Sequence, residues 1–299
     1  MRAASWSLSH PFKNAWCHSV CAEPDGTFWV VGSCAYQDAA VFASSRDGGR
    51  TWTPSPFAVQ KDLARVRGAP DGEVWVSGRL GTLLARRDGV WKRLRVGTKA
   101  HLQGLAFAAD GRAWVVGVGG LLAHSANRGR TWTVLPTVVE GTLSDVACDA
   151  RGALVAVGMD EVILRSDDGL AWSVVDAPKP PAPGGARRSL ARVVSWAPGC
   201  FLAVGDDRVR ASTDGGHAWR ALDVPNAQDL TSACITADGR WFVGGLNVIL
   251  RSDDQGATWV TEHAHDGSSH AWVYDLCVTA DGQGVAVGPH STAWLRASG

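Results

Sequence analysis

One octapeptide recurs along this chain and limits what the chain can fold into. It reads Ser45-Arg46-Asp47-Gly48-Gly49-Arg50-Thr51-Trp52. It returns as Ser125 to Trp132, as Ser212 to Trp219 and as Ser252 to Trp259. The common pattern is S-x-D-x-G-x-[T/A]-W, with Asn127 replacing the acid once. Shortened copies run from Ser166 to Trp172 and from Arg86 to Trp91. A short Asp or Asn side chain bonds backbone N–H groups just ahead of it and closes a tight turn. Glycine supplies the positive φ that such a turn needs. The Trp then opens the next strand and can bury its ring against the turn or the neighbouring unit. The octapeptide therefore predicts a stapled β-hairpin.

A second periodic signal sets the size of the unit. Gly32, Gly78, Gly117, Gly158, Gly205, Gly245 and Gly288 each end a strand-like apolar run. Seven residues before each lies a turn pair, from Asp25-Gly26 through Arg151-Gly152 and Pro198-Gly199 to Asp281-Gly282. Five residues before each turn is an apolar position: Val20, Val66, Leu105, Val146, Val193, Ala233 and Leu276. Each unit thus reads as four short antiparallel strands in about 40 residues, which is a propeller blade. Seven such turns predict an all-β, seven-bladed β-propeller occupying residues 1–299 as one domain. The last unit stops before any Trp of the octapeptide. The orphan stretch Ala4-Ser5-Trp6-Ser7-Leu8 can supply it. The N-terminal strand is therefore expected to complete blade 7, which closes the ring and hides strand edges.

Composition agrees with this and excludes some functions. The chain has 299 residues, no net formal charge, 35 Gly, 15 Trp and only 2 Tyr. A basic nucleic-acid footprint is missing, and no apolar run approaches the ~18 residues of a membrane span. Met1 to Asp25 lacks the apolar segment of a secretory signal, so a cytoplasmic protein is expected. No phosphate-binding glycine loop, nucleophile elbow or H-E-x-x-H occurs. The seven cysteines, Cys17, Cys21, Cys34, Cys148, Cys200, Cys234 and Cys277, form no C-x-x-C pair and read as buried small hydrophobes. Cys21, Cys234 and Cys277 share one register, four residues before the turn Asp, which points to packing. The Pro- and Gly-rich stretch Lys179 to Arg188 breaks the period and predicts an irregular surface loop, either decoration or a partner contact through Arg187 and Arg188.

The octapeptide resembles the Asp-box (BNR) repeat of sialidase-like and related β-propellers. In that family the box joins the third and fourth strands of a blade, away from the ligand face. With the strand-ending glycines and the stretches Val162-Ile163-Leu164-Arg165-Ser166 and Val248-Ile249-Leu250-Arg251-Ser252, almost the whole chain looks like the photosystem II stability/assembly factor branch. That resemblance implies seven blades and a non-enzymatic protein that holds a protein client. A sialidase is not indicated: that family has six blades, an Arg-Ile-Pro stretch, an arginine triad and a Tyr/Glu nucleophile pair. Here no Arg-Ile-Pro occurs, and the only tyrosines are Tyr36 and Tyr274.

Propellers bind at the mouth of the central channel, so the residues entering each blade matter most. Nine residues before the turn the blades carry Trp16, Asp62, His101, Thr142, Ser189, Asp229 and Trp272. Two residues further on, blades 1 and 7 carry His18 and Tyr274. Tyr36, His263, His265, His270 and His290 fall in nearby loops. Aromatic and titratable groups thus converge where the ring closes, either as a pocket or as a packed seam with solvated histidines. The run Glu262 to Asp266 with His270 admits a weak metal reading through His263, His265 and His270; otherwise no metal or cofactor is expected. Six residues before the turn come Ser19, Arg65, Gly104, Asp145, Arg192, Ser232 and Asp275. These predict either a charge network filling the bore or an anion anchor at Arg65 or Arg192.

The expectation is a monomeric, non-enzymatic propeller binding a protein client or small molecule near the blade 7/blade 1 junction. The candidate residues are Trp16, His18, Tyr36, Arg65, Arg192, His265, His270, Trp272, Tyr274, Asp275 and His290. One alternative is a lyase or hydrolase using His18, His265 or His270 as base. Another is a carbohydrate binder stacking sugars on Trp16 and Trp272.

Overall fold

The computed structural model describes residues 6–34, 39–57, 59, 62–176, 187–264 and 271–298. These form seven four-stranded antiparallel sheets arranged as seven blades. Blade 1 runs Ala15–Ala22, Phe28–Cys34, Ala40–Ser45 and Thr53–Pro54, from the channel outwards. The innermost strands of the next six blades are Leu63–Gly68, Leu102–Phe107, Leu143–Cys148, Arg192–Ala197, Ser232–Ile235 and Asp275–Val278. Blade 7 is completed by the first strand of the chain, Trp6–Ser9, which pairs with Ala293–Arg296. Ring closure therefore follows the sequence expectation. Among the described residues no helix is long and apolar enough to cross a membrane.

The octapeptides form the turns between third and fourth strands. In blade 1 the Gly49 amide donates to Ser45 Oγ at 2.9 Å and the Thr51 amide to Asp47 Oδ1 at 2.9 Å. The Thr51 hydroxyl donates to Asp47 Oδ2 at 2.6 Å, and the Trp52 indole N–H to the Gly49 carbonyl at 2.9 Å. The two backbone bonds recur around Asp214 and Asp254; the indole bond recurs at Trp219 and the Thr hydroxyl bond at Thr258. The box glycine then meets the preceding blade. A Cβ on Gly129 would lie 2.3 Å from the Trp75 ring, and one on Gly169 2.3 Å from Trp114. Gly49, Gly216 and Gly256 make similar contacts, so the boxes act as scaffold at five of the seams, on one face of the ring.

Between the blades lie apolar seams. Trp29 and Phe42 of blade 1 pack with Trp91 of blade 2, their ring centroids 5.2 and 4.7 Å from it. Trp6, Phe242, Ile249 and Trp294 fill the seam between blades 6 and 7. The Trp6 indole donates to Glu262 at 3.1 Å, and Glu262 takes a two-pronged bond from Arg296 at 2.9 and 3.1 Å.

On the face opposite the boxes, each strand-ending glycine holds down a neighbouring carbonyl. A Cβ on these seven glycines would sit 1.9 to 2.7 Å from the carbonyl oxygens of Trp16, Asp62, His101, Thr142, Ser189, Asp229 and Trp272. No side chain fits there, which explains the glycine at every blade. The same contact fixes where the seven residues at the channel mouth begin.

Candidate functional site

The innermost strands show one burial rhythm that divides the channel. The residues nine and seven before the turn are partly exposed, while those eight and six before it are buried. In blades 1 to 4 the pairing with the second strand slips at this place, between Cys17 and Ser19, Leu63 and Arg65, Leu102 and Leu105, and Leu143 and Asp145. These are β-bulges, and a bulge re-aims side chains. His18 sits on the first of them.

At the mouth the closure sector brings several expected residues together. The Trp272 and Tyr274 ring centroids are 6.4 Å apart, and Tyr274 and His18 are also 6.4 Å apart. Trp16 lies edge-on to His290 at 6.3 Å. The Cys17 amide donates to the Gly288 carbonyl at 3.1 Å, so the two groups share a continuous backbone edge across the seam. Trp16 is 42 % exposed, Trp272, Tyr274 and His18 are half-buried, and His290 is exposed. His290 and Ser291 both have positive φ, 53° and 66°. Serine rarely adopts that conformation, and two such residues in succession are uncommon. It is held because the Ser291 amide donates to the Ala15 carbonyl at 2.7 Å and the Ala15 amide to Ser291 Oγ at 3.1 Å.

His18 is fixed at both ring nitrogens. Nδ1 lies 2.8 Å from the Leu63 carbonyl, which can only accept, so Nδ1 carries the proton. In the neutral ring Nε2 then accepts from the Ser33 hydroxyl at 3.3 Å. Burial pulls the His18 pKa below the ordinary value; the Leu63 carbonyl and Asp62 oppose this, and Arg65 adds to it. Burial also lowers His101, helped by Arg79 and by His18 itself. Asp62 pairs with Arg79 at 3.1 Å on the exposed rim. The polar arc thus continues through Asp62, Arg79 and His101 into blades 2 and 3. Asp62 and His101 share the register of Trp16, and that register was the available signal for them. Arg79, on the only helical turn among the described residues, carried none.

Arg65, Arg192 and Asp275 lie below the mouth, in a buried charge cluster across the bore. Asp275 accepts from Ser19 Oγ at 2.6 Å and from the Val20 amide at 3.2 Å. It also pairs with Arg192 and, at 3.6 Å, with Arg65. Asp145 accepts from Arg67 at 2.8 Å and from the Val193 amide at 3.3 Å, and lies 3.6 Å from Arg192. Burial pushes the Asp145 carboxyl up, but Arg67, Arg65 and Arg192 outweigh it and hold it below the usual range. Burial lowers Arg65 to about 10 and Arg192 well below its ordinary value. Beyond the cluster, all seven innermost strands line a cavity of about 490 Å³ toward the box face.

Tyr36, His265 and His270 lie outside the described residues. His263 is on the outermost strand of blade 6, Val260–Ala264, with its ring 6.2 Å from Trp294. Among the described residues no group of three or more His, Cys, Asp or Glu is placed to hold a metal ion. Arg187 and Arg188 at the end of the Pro-rich stretch pair with Asp160 at 3.5 Å and Asp207 at 3.2 Å.

No family model and no curated protein matches this chain. Solved structures do. YCF48 bound to D1 peptide matches with a TM-score of 0.74 at 18% identity, over 98% of this chain and 97% of that one. YCF48 from Cyanidioschyzon merolae matches at 0.70 and 18%, over 98% of both chains. Virginiamycin B lyase from Staphylococcus aureus matches at 0.77 and 14%, over 98% of this chain and 99% of that one. At these identities the likeness is one of fold, and the fold is shared by a peptide binder and an enzyme.

Proposed function

We propose that this chain is a non-enzymatic binding propeller that holds an extended segment of a protein client across the channel mouth, at the blade 7/blade 1 closure. The observation that carries the reading is the arc itself. Trp16 is 42 % exposed although it is a large ring on an innermost strand. It packs edge-on to His290 at 6.3 Å, and Trp272, Tyr274 and His18 form a second run at ring spacings of 6.4 Å in the same closure sector of the channel mouth. Partly exposed aromatics of this kind anchor peptide side chains at low entropic cost. The Asp62–Arg79 pair and His101 at the far end offer polar contacts to the same segment. A propeller of the same fold has been solved with a bound peptide, which supports this class of ligand.

A second reading, an enzyme of lyase type, draws on His18, whose unprotonated Nε2 is in principle a base, and on the lyase of like fold. It is the weaker reading because the Leu63 carbonyl and the Ser33 hydroxyl already engage both nitrogens. Burial also lowers the basicity of the ring.

Peptide display against the purified full chain separates the readings. The expected outcome is a selected peptide whose binding falls at least tenfold in Trp16→Ala/Trp272→Ala while the thermal melt is kept. Peptides that bind the double variant undiminished would overturn the proposal.

A further inference from the structure

The box-face end of the channel carries chemistry unrelated to the mouth. Cys21, Cys234 and Cys277 occupy one register on blades 1, 6 and 7, which are consecutive around the ring, and all three line the 490 Å³ cavity. The register is the one read as packing, but its side chains face the channel. Cys234 and Cys277 are partly exposed and, like every cysteine of the chain, are free thiols. Cys234 has already crossed the seam between its blade and the next. Its sulfur accepts from the Val278 amide at 3.4 Å, one residue beyond Cys277, and its thiol donates to the Val278 carbonyl at 3.8 Å. The Cys234 and Cys277 thiols are near enough to shift each other's acidity. Arg67 and Arg192 line the same cavity.

We propose that Cys234 and Cys277 are an oxidisable dithiol, converted by a hydroperoxide into a disulfide that ties blade 6 to blade 7 inside the channel. The two sulfurs have unequal roles. The Val278 amide donates to the Cys234 sulfur at 3.4 Å, and Arg192 and Arg67 line the same cavity, so a thiolate is best supported at Cys234. The neighbouring Cys277 thiol draws Cys234 down and is itself pushed up, which points the same way. Cys234 is therefore the attacking thiolate and Cys277 the resolving thiol. The Cys234 sulfur attacks one peroxide oxygen, the O–O bond breaks, and the departing hydroxide takes a proton and leaves as water. Cys234 is then a sulfenic acid. Cys277 attacks its sulfur, the S–O bond breaks, and the leaving oxygen departs as a second water with the Cys277 proton. Two thiols are oxidised by two electrons and one hydrogen peroxide is reduced to two waters. Cys21 and Cys148 share the cavity but burial pushes both to about 12, so neither competes as nucleophile.

The experiment exposes the reduced full chain to hydrogen peroxide, then uses intact mass and peptide mapping. The expected product is about 2 Da lighter, carries one Cys234–Cys277 cross-link, reverts with dithiothreitol and melts about 5 °C higher. Cys277→Ser should stop at a sulfenic acid on Cys234 that dimedone traps. Cys234→Ser should leave Cys277 unmodified at the same dose. Retention of all seven thiols, oxygen added without a cross-link, a cross-link through Cys21, or undiminished oxidation of Cys277 in Cys234→Ser would each overturn the proposal. The outcome is independent of peptide binding at the mouth.

Discussion

The carbonyl oxygen of Trp16 lies where a side chain on Gly32 would begin: a Cβ there would be 1.9 Å away, with the Cys17 backbone at 3.0 Å. Backbone on both sides leaves nothing to yield. Gly32→Ala is therefore expected to cost at least about 3 kcal/mol, beyond ordinary overpacking of flexible side chains. Gly26→Ala is the contrast. Gly26 has φ +84° but nothing within 4 Å, so only the left-handed conformation is penalised, about 1 kcal/mol. Urea unfolding of the two variants measures the difference. Equal costs would remove the close approach as the reason for the glycine.

The closing strand gives a second test. Trp6 is 6 % exposed and bonds Glu262, whereas Leu8 on the same strand is 51 % exposed. Trp6→Ala should cost about 3–5 kcal/mol, as the loss of a buried aromatic does, and should lower the melting temperature of the whole ring. Leu8→Ala should stay within about 0.5 kcal/mol of wild type. A Trp6→Ala melt that matches wild type would show that the ring holds without its latch.

The boxes should make stability depend on acid. The Thr51 hydroxyl, then its amide, then Ser45 hold Asp47 down to about 2, and Thr258 does the same for Asp254. The unfolded chain protonates these groups near pH 3.9. A depressed folded pKa contributes stability that is present above about pH 4 and lost as pH falls through about 2. Asp47→Asn keeps an amide version of the turn, as Asn127 does natively with Thr131 at 2.9 Å, but it cannot titrate. It should be less stable than wild type at pH 7 and converge with it near pH 2. Parallel curves would place the effect elsewhere.

Much of this was legible in the sequence because scaffold residues repeat. The glycines from Gly32 to Gly288 and the boxes recur at fixed spacing, and Trp6 was found because one box was missing. The mouth was legible only in part. The register of Trp16 and Trp272 placed them, but the bulge beneath His18 breaks the two-residue alternation of a strand. Side-chain direction there could not be counted out. His290 and Ser291 hold positive φ without being Gly, Asn or Asp, so nothing marked that turn. The charged series through Arg65, Asp145, Arg192 and Asp275 was visible as a series. Its pairings were not, because they cross the bore between strands far apart in sequence.

Two mouth histidines predict a second pH dependence, of different origin. Burial lowers both His18 and His101, so they stay neutral in the fold while the unfolded chain protonates them near pH 6.5. Their contribution is full above that pH and is lost as pH falls toward the folded values. Unfolding midpoints should be lower at pH 5.5 than at pH 7.5, and His18→Gln should shrink the gap. An unchanged gap would exclude His18 as a source.

The charge cluster sets three arginines, Arg65, Arg67 and Arg192, against two aspartates, Asp145 and Asp275, with side chains of Arg192, Asp145 and Asp275 at most 3 % exposed. The imbalance makes the members unequal. Asp275 receives Ser19, the Val20 amide, Arg192 and Arg65, so Asp275→Asn removes the ion-pair partner of Arg65 and leaves Arg192 only its longer contact to Asp145, and it should cost about 3–5 kcal/mol. Arg65 contributes one pairing at 3.6 Å, and burial already disfavours its charge. Arg65→Met removes the surplus charge and keeps an apolar stem of similar length in the bore, so it should cost no more than about 1 kcal/mol. Urea unfolding at pH 7 compares the two. If Arg65→Met proved as costly as Asp275→Asn, the cluster would not be overcharged in the folded chain, and a counter-ion in the bore would have to supply the missing negative charge.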